Sequence, residues 1–429
     1  MNLRLNQLNA LGRKIRIGVL GIGSVGQGIV LQAKLTPGIE CVAIADIERD
    51  RAVSWAQRLQ SPYRVVNSGA EMTDAIRRNE LAVCADSALV AQCELVEVLI
   101  ESTSSTLAGG RHGVMALEHE KHVIMMNYEA DLLFGAYLMR LAKAKRRIYT
   151  VCDGDQPAVL KRLIDEMEFM GFQLVMAGNI KGFLDRYANP TTIIPEAEKR
   201  NLDPRMCASY TDGTKLNIEM AVVANGLGLR TPTPGMFGPR MNDVLEVFDH
   251  FDFASLWDGK QAFVDYVLGA RPKGGVFAIG YTQDRHQRET LNWFPSEMGP
   301  GPFYIFARPY HLIHFESMHS VVSVILDGQP VLQPEYGFQT NVYAYAKRDL
   351  KKGEILDDEG GYTCYGLIEN CSDNLERPAL PICLAIGTVL KTDVGRDKKI
   401  YLDMVGYSEQ RPDFALFAQA SALSRDLQP

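Results

Sequence analysis

The stretch IRIGVLGIGSVGQGIVLQA, Ile15 to Ala33, decides the fold. Its apolar opening, Ile17-Gly18-Val19-Leu20, reads as a buried strand. Glycines follow at Gly21, Gly23 and Gly26, with Ser24 and Val25 between them, and the chain then reads as a helix. In a strand–turn–helix unit Gly21 allows the tight turn, Gly23 lets backbone approach a pyrophosphate, and Gly26 lets helix and strand pack closely. The helix start presents unpaired N–H groups to the anion. A glycine loop alone is a weak signal. This one has a strand before it, a helix after it, and Asp46 closing a second apolar run, Cys41 to Ala45. Asp46 stands roughly 20 residues on, where a carboxylate hydrogen-bonds an adenosine ribose. The reading is a dinucleotide site. Asp46 would repel a 2′-phosphate and favours NAD. Arg49 and Arg51 could grip that phosphate or merely begin a solvated helix, so NADP stays open.

Outward from this stretch, 429 residues imply two or three domains. With 46% hydrophobic and 23% charged residues, the composition is that of an ordinary globular protein. A net charge of −7 gives no reason to expect nucleic acid or an anionic membrane as partner. The eight cysteines are scattered, with no CxxC and no zinc spacing, which suits buried thiols in a reducing compartment. A polar N-terminus, expected as a short amphipathic helix, and no run of ~18 apolar residues point to a cytoplasmic protein. No spacing fixes a metal site.

Strands and helices alternate to residue 150, as in a doubly wound α/β Rossmann domain. One strand, Val96 to Ile100, ends in Glu101-Ser102-Thr103. Ligands bind beyond such strand ends, so Ser102 and Thr103 are candidates for the nicotinamide ribose, or for a helix N-cap. Asn127, ending the strand from His122, joins the cofactor candidates. Residues 151–330 read as an α+β middle domain. A helix begins near Pro157, and an antiparallel sheet is built from Gln173–Ala177, Phe263–Leu268, Gly275–Tyr281, Phe303–Phe306 and Val321–Leu326. Residues 331–429 read as a small β-rich module with strands at Val342–Ala346 and Ile400–Met404.

The glycine loop, the strand ending in EST, VIMMNYEAD and TDGTKLNIEMAVVANGLGL together resemble the homoserine dehydrogenase-like oxidoreductases. VYAYAKRDLKKGEIL and LAIGTVLKTDV are similar to the SAF fold. The combination, with GPFYIFARPYHL, resembles a branch that includes the 1-deoxy-xylulose-5-phosphate reductoisomerase-like enzymes. The resemblance implies NAD(P)H-dependent reduction of a small, oxygen-rich carbonyl compound, a phosphorylated one by the branch's pattern, in a homodimer or higher homo-oligomer. Homoserine dehydrogenases carry a lysine directly after the asparagine that ends this strand. Here Tyr128 follows Asn127, so homoserine itself does not fit.

Hydride transfer needs a donor for the developing alkoxide. Lys215, opening a helix after an Asp-Gly turn where the resemblance implies a catalytic lysine, is the first candidate. Asp155 and Glu219 are candidates to orient it or relay a proton. Lys181, beside glycines at a strand end, and Arg308, Tyr310 and His311 could bind an oxyanion substrate. The leading reading is an NAD(P)-dependent oxidoreductase acting on a small polar carbonyl or polyol. A reductoisomerase-like rearrangement before reduction, with an attendant metal left open, and a non-catalytic NAD-sensing or carbohydrate-binding protein are the alternatives.

Overall fold

The computed structural model describes residues 2–200, 202–293 and 297–427. They form two compact units, residues 1–158 with 312–333, and residues 159–311 with 334–429.

The first unit opens with α1 (Leu3–Ala10), capped by the Asn2 side chain. Then β1 (Ile15–Leu20), α2 (Ser24–Leu35), β2 (Ile39–Ala45), α3 (Arg49–Arg58), β3 (Tyr63–Val65), α4 (Gly69–Arg77) and β4 (Leu81–Cys84) alternate. They continue through α5 (Ser87–Gln92), β5 (Val98–Glu101), α6 (Thr106–Glu118), β6 (His122–Met125), α7 (Tyr128–Ala144) and β7 (Tyr149–Val151). All seven strands are parallel, in the order β3-β4-β2-β1-β5-β6-β7. This is the doubly wound Rossmann-type sheet. Both faces are covered by helices, so its strands read as nearly continuous apolar runs, and Ile17, Val19, Ile44, Leu99, Ile100 and Ile124 are fully buried. The strand order reverses between β1 and β5, and the crevice for a ligand opens beyond their carboxyl ends.

The chain enters the second unit along α8 (Gln156–Phe169). There follow β8 (Gln173–Lys181), α9 (Ile194–Arg200), α10 (Pro204–Thr211), α11 (Thr214–Leu227), α12 (Val247–His250), α13 (Phe253–Leu256), β9 (Phe263–Leu268), β10 (Val276–Tyr281), α14 (Arg285–Trp293) and β11 (Phe303–Arg308). The sheet order is β11-β10-β8-β9. β11, β10 and β8 pair antiparallel, as expected, but β9 joins β8 in parallel, because α9 to α13 form a long crossover between them. One face buries Met176, Phe263, Val267, Phe277 and Ile279 against Val247, Phe251 and Phe253.

Residues 312–333 return to the first unit. The strand expected at Val321–Leu326 is instead helical, α15 (Met318–Val322) followed by a π turn to Asp327 that Gly328 closes at φ 65°. A short apolar run has no periodicity that separates a buried strand from a buried helix. The last stretch packs with the second unit. Its β12 (Thr340–Ala346) pairs antiparallel with β13 (Cys364–Asn370), and short β14 (Val389–Leu390) pairs with β15 (Val405–Gly406) before α16 (Pro412–Arg425). The strand expected at Ile400–Met404 is a 3-10 turn, Leu402–Met404, leading into β15. All eight cysteines are free thiols. Among the described residues no helix is long and apolar enough to cross a membrane.

Candidate active site

In the first unit the glycines of the loop after β1 meet three different steric demands. Gly21 has φ 84°, and a Cβ there would stand 2.7 Å from the Thr103 backbone nitrogen. A Cβ on Gly26 would stand 1.9 Å from the Gly21 carbonyl oxygen. Around Gly23 a Cβ would meet nothing within 4 Å. Two glycines are thus dictated by the fold. The third meets open space. Gly23 is also the N-cap of α2 and has no side-chain capping bond, so no side chain there satisfies the first N–H groups of the helix, which begins at Ser24 and Val25. These features fit a pyrophosphate.

Asp46 is tied into this loop. Its Oδ2 accepts the Ile22 N–H at 2.7 Å and its Oδ1 the Glu48 N–H at 2.8 Å, with Arg51 at 3.4 Å. The carboxylate is only 4% exposed. Its bonds hold the glycine loop to the end of β2. Ser102 also turns inward: its Oγ lies 2.8 Å from the carbonyl oxygens of both Leu20 and Gly21, and its single proton is shared between them.

Thr103 leans the same way. Its hydroxyl and N–H both donate to Glu101 Oε1, which also meets His112 Nδ1 at 3.2 Å. Asn127 caps α7 through the Ala130 N–H at 3.0 Å and donates to Ser105 at 3.0 Å, linking the loops after β5 and β6. The structure therefore gathers these cofactor candidates at neighbouring strand ends, with Asp46, Ser102, Thr103 and Asn127 bonded to protein groups there. Asp155 lies in the turn before α8, where its Oδ1 accepts the Gln156 N–H at 2.9 Å.

In the second unit α11 is buried along its length from Thr214 to Gly226. Lys215 and Glu219 stand one turn apart on it and share a face, 7% and 2% exposed. The helix is anchored on its other sides. Thr214 Oγ1 accepts the Gly366 N–H and Asn217 Oδ1 the Ile368 N–H, both at 2.9 Å, from β13. At its start, Asp212 accepts the Thr214 N–H at 2.7 Å and pairs with Lys347 Nζ at 2.8 Å. Lys347 also donates to Ala188 at 2.6 Å and Gly361 at 2.8 Å. Burial pushes the Asp212 carboxyl above its ordinary range, against the pull of Lys347.

Arg308, Val276, Asn179 and Tyr266 form one row across the four strands, on the sheet face away from the phenylalanine cluster. Lys181, two residues after Asn179, shares that face. Lys181 Nζ lies 5.9 Å from the Tyr210 ring centroid, and the Arg308 guanidinium 4.6 Å from that of Tyr310. His311 Nδ1 is 2.7 Å from the Gly274 carbonyl oxygen. A carbonyl only accepts, so Nδ1 donates and the ring is fixed.

Sequence reasoning passed over Asn179, Asp212 and the Glu101–His112 pair. Asp212 carried a usable signal, an Asp-Gly turn at a helix start. Asn179 carried none. Among the described residues no group of three or more His, Cys, Asp or Glu could hold a metal ion.

Residues 154–317 match the family model of oxidoreductase DRL, catalytic domain. No curated protein matches the chain. Among solved structures it is similar to a probable dehydrogenase from Thermotoga maritima (14% identity, 74% of this chain and 90% of that one, TM-score 0.41). It is also similar to a biliverdin reductase from Synechocystis (14% identity, 41% and 49%, TM-score 0.29). A third is a DOX-P reductoisomerase solved with fosmidomycin and magnesium (14% identity, 48% and 56%, TM-score 0.35). The chain spans 49% and 56% of the length of the last two.

Proposed function

We propose that this chain is an NAD(P)-dependent oxidoreductase that moves hydride between a nicotinamide and a small, polar, oxyanion-bearing carbonyl or polyol. The glycine loop carries the reading: Gly21 and Gly26 are sterically required, and Gly23 faces open space at the switch point of the sheet. The match of residues 154–317 to an oxidoreductase catalytic domain supports it.

A nicotinamide, when bound, supplies or takes the hydride. The remaining work falls to side chains. Ser24 and Val25 N–H groups would hold the pyrophosphate, and Asp46, with its remaining lone pairs, would take the ribose and favour NAD. Ser102, Thr103 and Asn127 shape the strand ends that would hold the second ribose. Lys215 donates to the developing alkoxide and passes it a proton, with Glu219, one turn along the same helix, orienting the ammonium. Lys181 and Arg308 grip the oxyanion, Arg308 with two parallel hydrogen bonds, while Tyr310 and His311 complete the substrate contacts.

Calorimetry with NADH and NADPH, on the wild type and on Lys215→Met, tests this. One nucleotide is expected to bind both proteins alike, while the variant loses roughly 10²–10⁴ in turnover on substrates drawn from a polyol and sugar-acid panel. A protein that binds neither nucleotide overturns the reading. Undiminished turnover in Lys215→Met removes the lysine from it.

A further inference from the structure

We propose that the second unit holds a second ligand site, on the side of α11 away from Lys215, for a small hydroxylated oxyanion. A cleft of about 260 Å³ lies wholly within this unit, lined among others by Arg186, Tyr187, Asp212, Gly213, Asn217 and Tyr266. The volume suits a molecule of several heavy atoms and is too small for a dinucleotide.

The cleft is separate from the Lys215 face. Gly213 and Asn217 stand one turn apart and share one side of α11. Lys215 and Glu219 are each offset from that pair by two residues, about 200° around the axis, and so point to the opposite side.

Its chemistry is specific. Arg186 is exposed and, among the described residues, makes no ion pair. Its guanidinium lies 5.2 Å from the Tyr365 ring centroid, a contact that steadies the group while leaving its donors in the plane. Such a fork matches a carboxylate or a phosphate. The negative charge of Asp212 does not repel this ligand, because Lys347 neutralises it at 2.8 Å.

Tyr266 is half-buried, and its hydroxyl has no hydrogen-bond partner among the described residues. Beside it in the same row of the sheet lies Asn179. The Asn179 side chain is fully buried, and neither its Nδ2 nor its Oδ1 has a partner. Buried amides left unpaired are rare and costly. Asn179 does not itself line the cleft, so a water carried in beside Tyr266 would be the group that satisfies it. Arg186 and Arg240 both act on the Tyr266 phenol by charge, against the burial that raises it. An oxyanion on Arg186 with a hydroxyl toward Tyr266 uses the groups that line the cleft.

Calorimetry on the full chain with inorganic phosphate, glycerol 3-phosphate and D-glycerate tests the site. At least one probe is expected to bind. Tighter binding of glycerol 3-phosphate than of phosphate registers the hydroxyls, and comparison with D-glycerate separates phosphate from carboxylate. Arg186→Gln, at an exposed position, is expected to weaken binding roughly tenfold or more, and Tyr266→Phe by a smaller factor. Lys215→Met is expected to leave the affinity unchanged. Failure of all three probes, affinity unmoved by Arg186→Gln, or binding abolished by Lys215→Met overturns the proposal. A chain that binds a probe through Arg186 and binds no nicotinamide nucleotide keeps this site and loses the oxidoreductase reading.

Discussion

At the residue scale the glycine loop makes a contrast that mutation can read. Gly26→Ala forces a methyl against the Gly21 carbonyl oxygen at 1.9 Å, so the turn itself must move. The expected cost is about 1–3 kcal/mol of stability, together with loss of nucleotide binding. Gly23→Ala meets open space, so stability should hold within about 0.5 kcal/mol while nucleotide affinity falls. Thermal unfolding and calorimetry on the two variants separate fold from ligand. If both lose stability equally, Gly23 is structural too. Asp131 offers a pH effect. Burial raises its carboxyl from 3.8 to about 7, with the Tyr149 hydroxyl, 2.6 Å away, pulling the other way. Between those values the folded state keeps a proton that the unfolded chain releases. Stability from this group is therefore full below pH 3.8 and lost as pH rises to about 7, by on the order of 4 kcal/mol. Asp131→Asn keeps an oxygen for Tyr149 and removes the titration. Denaturant unfolding should show the variant gaining on wild type between pH 5 and 8, and a constant difference would refute the shift. The spacing of the glycines was legible because a strand–turn–helix loop sets it within a few residues, although the backbone that Gly21 must clear, at Ser102 and Thr103, lies far along the chain. The inward turns of Ser102 and Thr103 were not, since Leu20 is distant in sequence and a strand-end hydroxyl has no pattern that tells a ribose from a carbonyl.

At the scale of elements, α11 illustrates how a catalytic candidate is held by its surroundings. Asp212 and Lys347 are buried together at its start, the carboxylate fully and the ammonium nearly so. Removing one partner strands the other charge away from water. Lys347→Met should therefore destabilise by about 3–5 kcal/mol, and adding Asp212→Asn should recover much of that. Chemical denaturation of the single and double variants checks both halves, and a double variant no better than the single would show that the lysine acts through its bonds to Ala188 and Gly361 instead. The existence of α11 was legible from the Asp-Gly turn that opens it, but its end was not: the sequence placed the helix at Leu216 to Asn225 with Gly226 as its stop, whereas Gly226 lies inside it and Gly228, at φ 72°, closes it. Its anchors were not, because they come from β13, more than 130 residues later and itself unnoticed in the sequence. CYGLIEN lacks the alternation that marks a half-buried strand, being buried on both faces until its last residue. The same loss of periodicity turned Val321–Leu326 from an expected strand into α15 and its π turn.

At the scale of the whole molecule, the path of the chain matters more than its length. Residues 312–333 belong with the first unit, and the chain then returns to the second for its last hundred or so residues. A sequence reading divides such a chain into consecutive blocks, here at 150 and 330, because local composition changes there. It has no means of seeing that a later block completes an earlier one. The hydrogen bonds from Gly366 and Ile368 to Thr214 and Asn217, and the buried Asp212–Lys347 pair, tie residues 334–429 into the same unit as α11. Truncation after residue 333 should therefore do more than remove an appended module. It strips α11 of the strands that anchor it: the Thr214 hydroxyl and the Asn217 carbonyl oxygen lose the N–H groups of Gly366 and Ile368, and Asp212 loses Lys347, each hydrogen bond worth about 0.5–1.5 kcal/mol beside the lost burial. The first unit keeps its seven-stranded sheet and residues 312–333 in this truncated chain. The expected outcome is a chain whose amide exchange shows protection in the first unit and none along α11, and which still binds nucleotide but has no turnover. If α11 stays protected without residues 334–429, the last segment is an independent domain and the second unit does not need it.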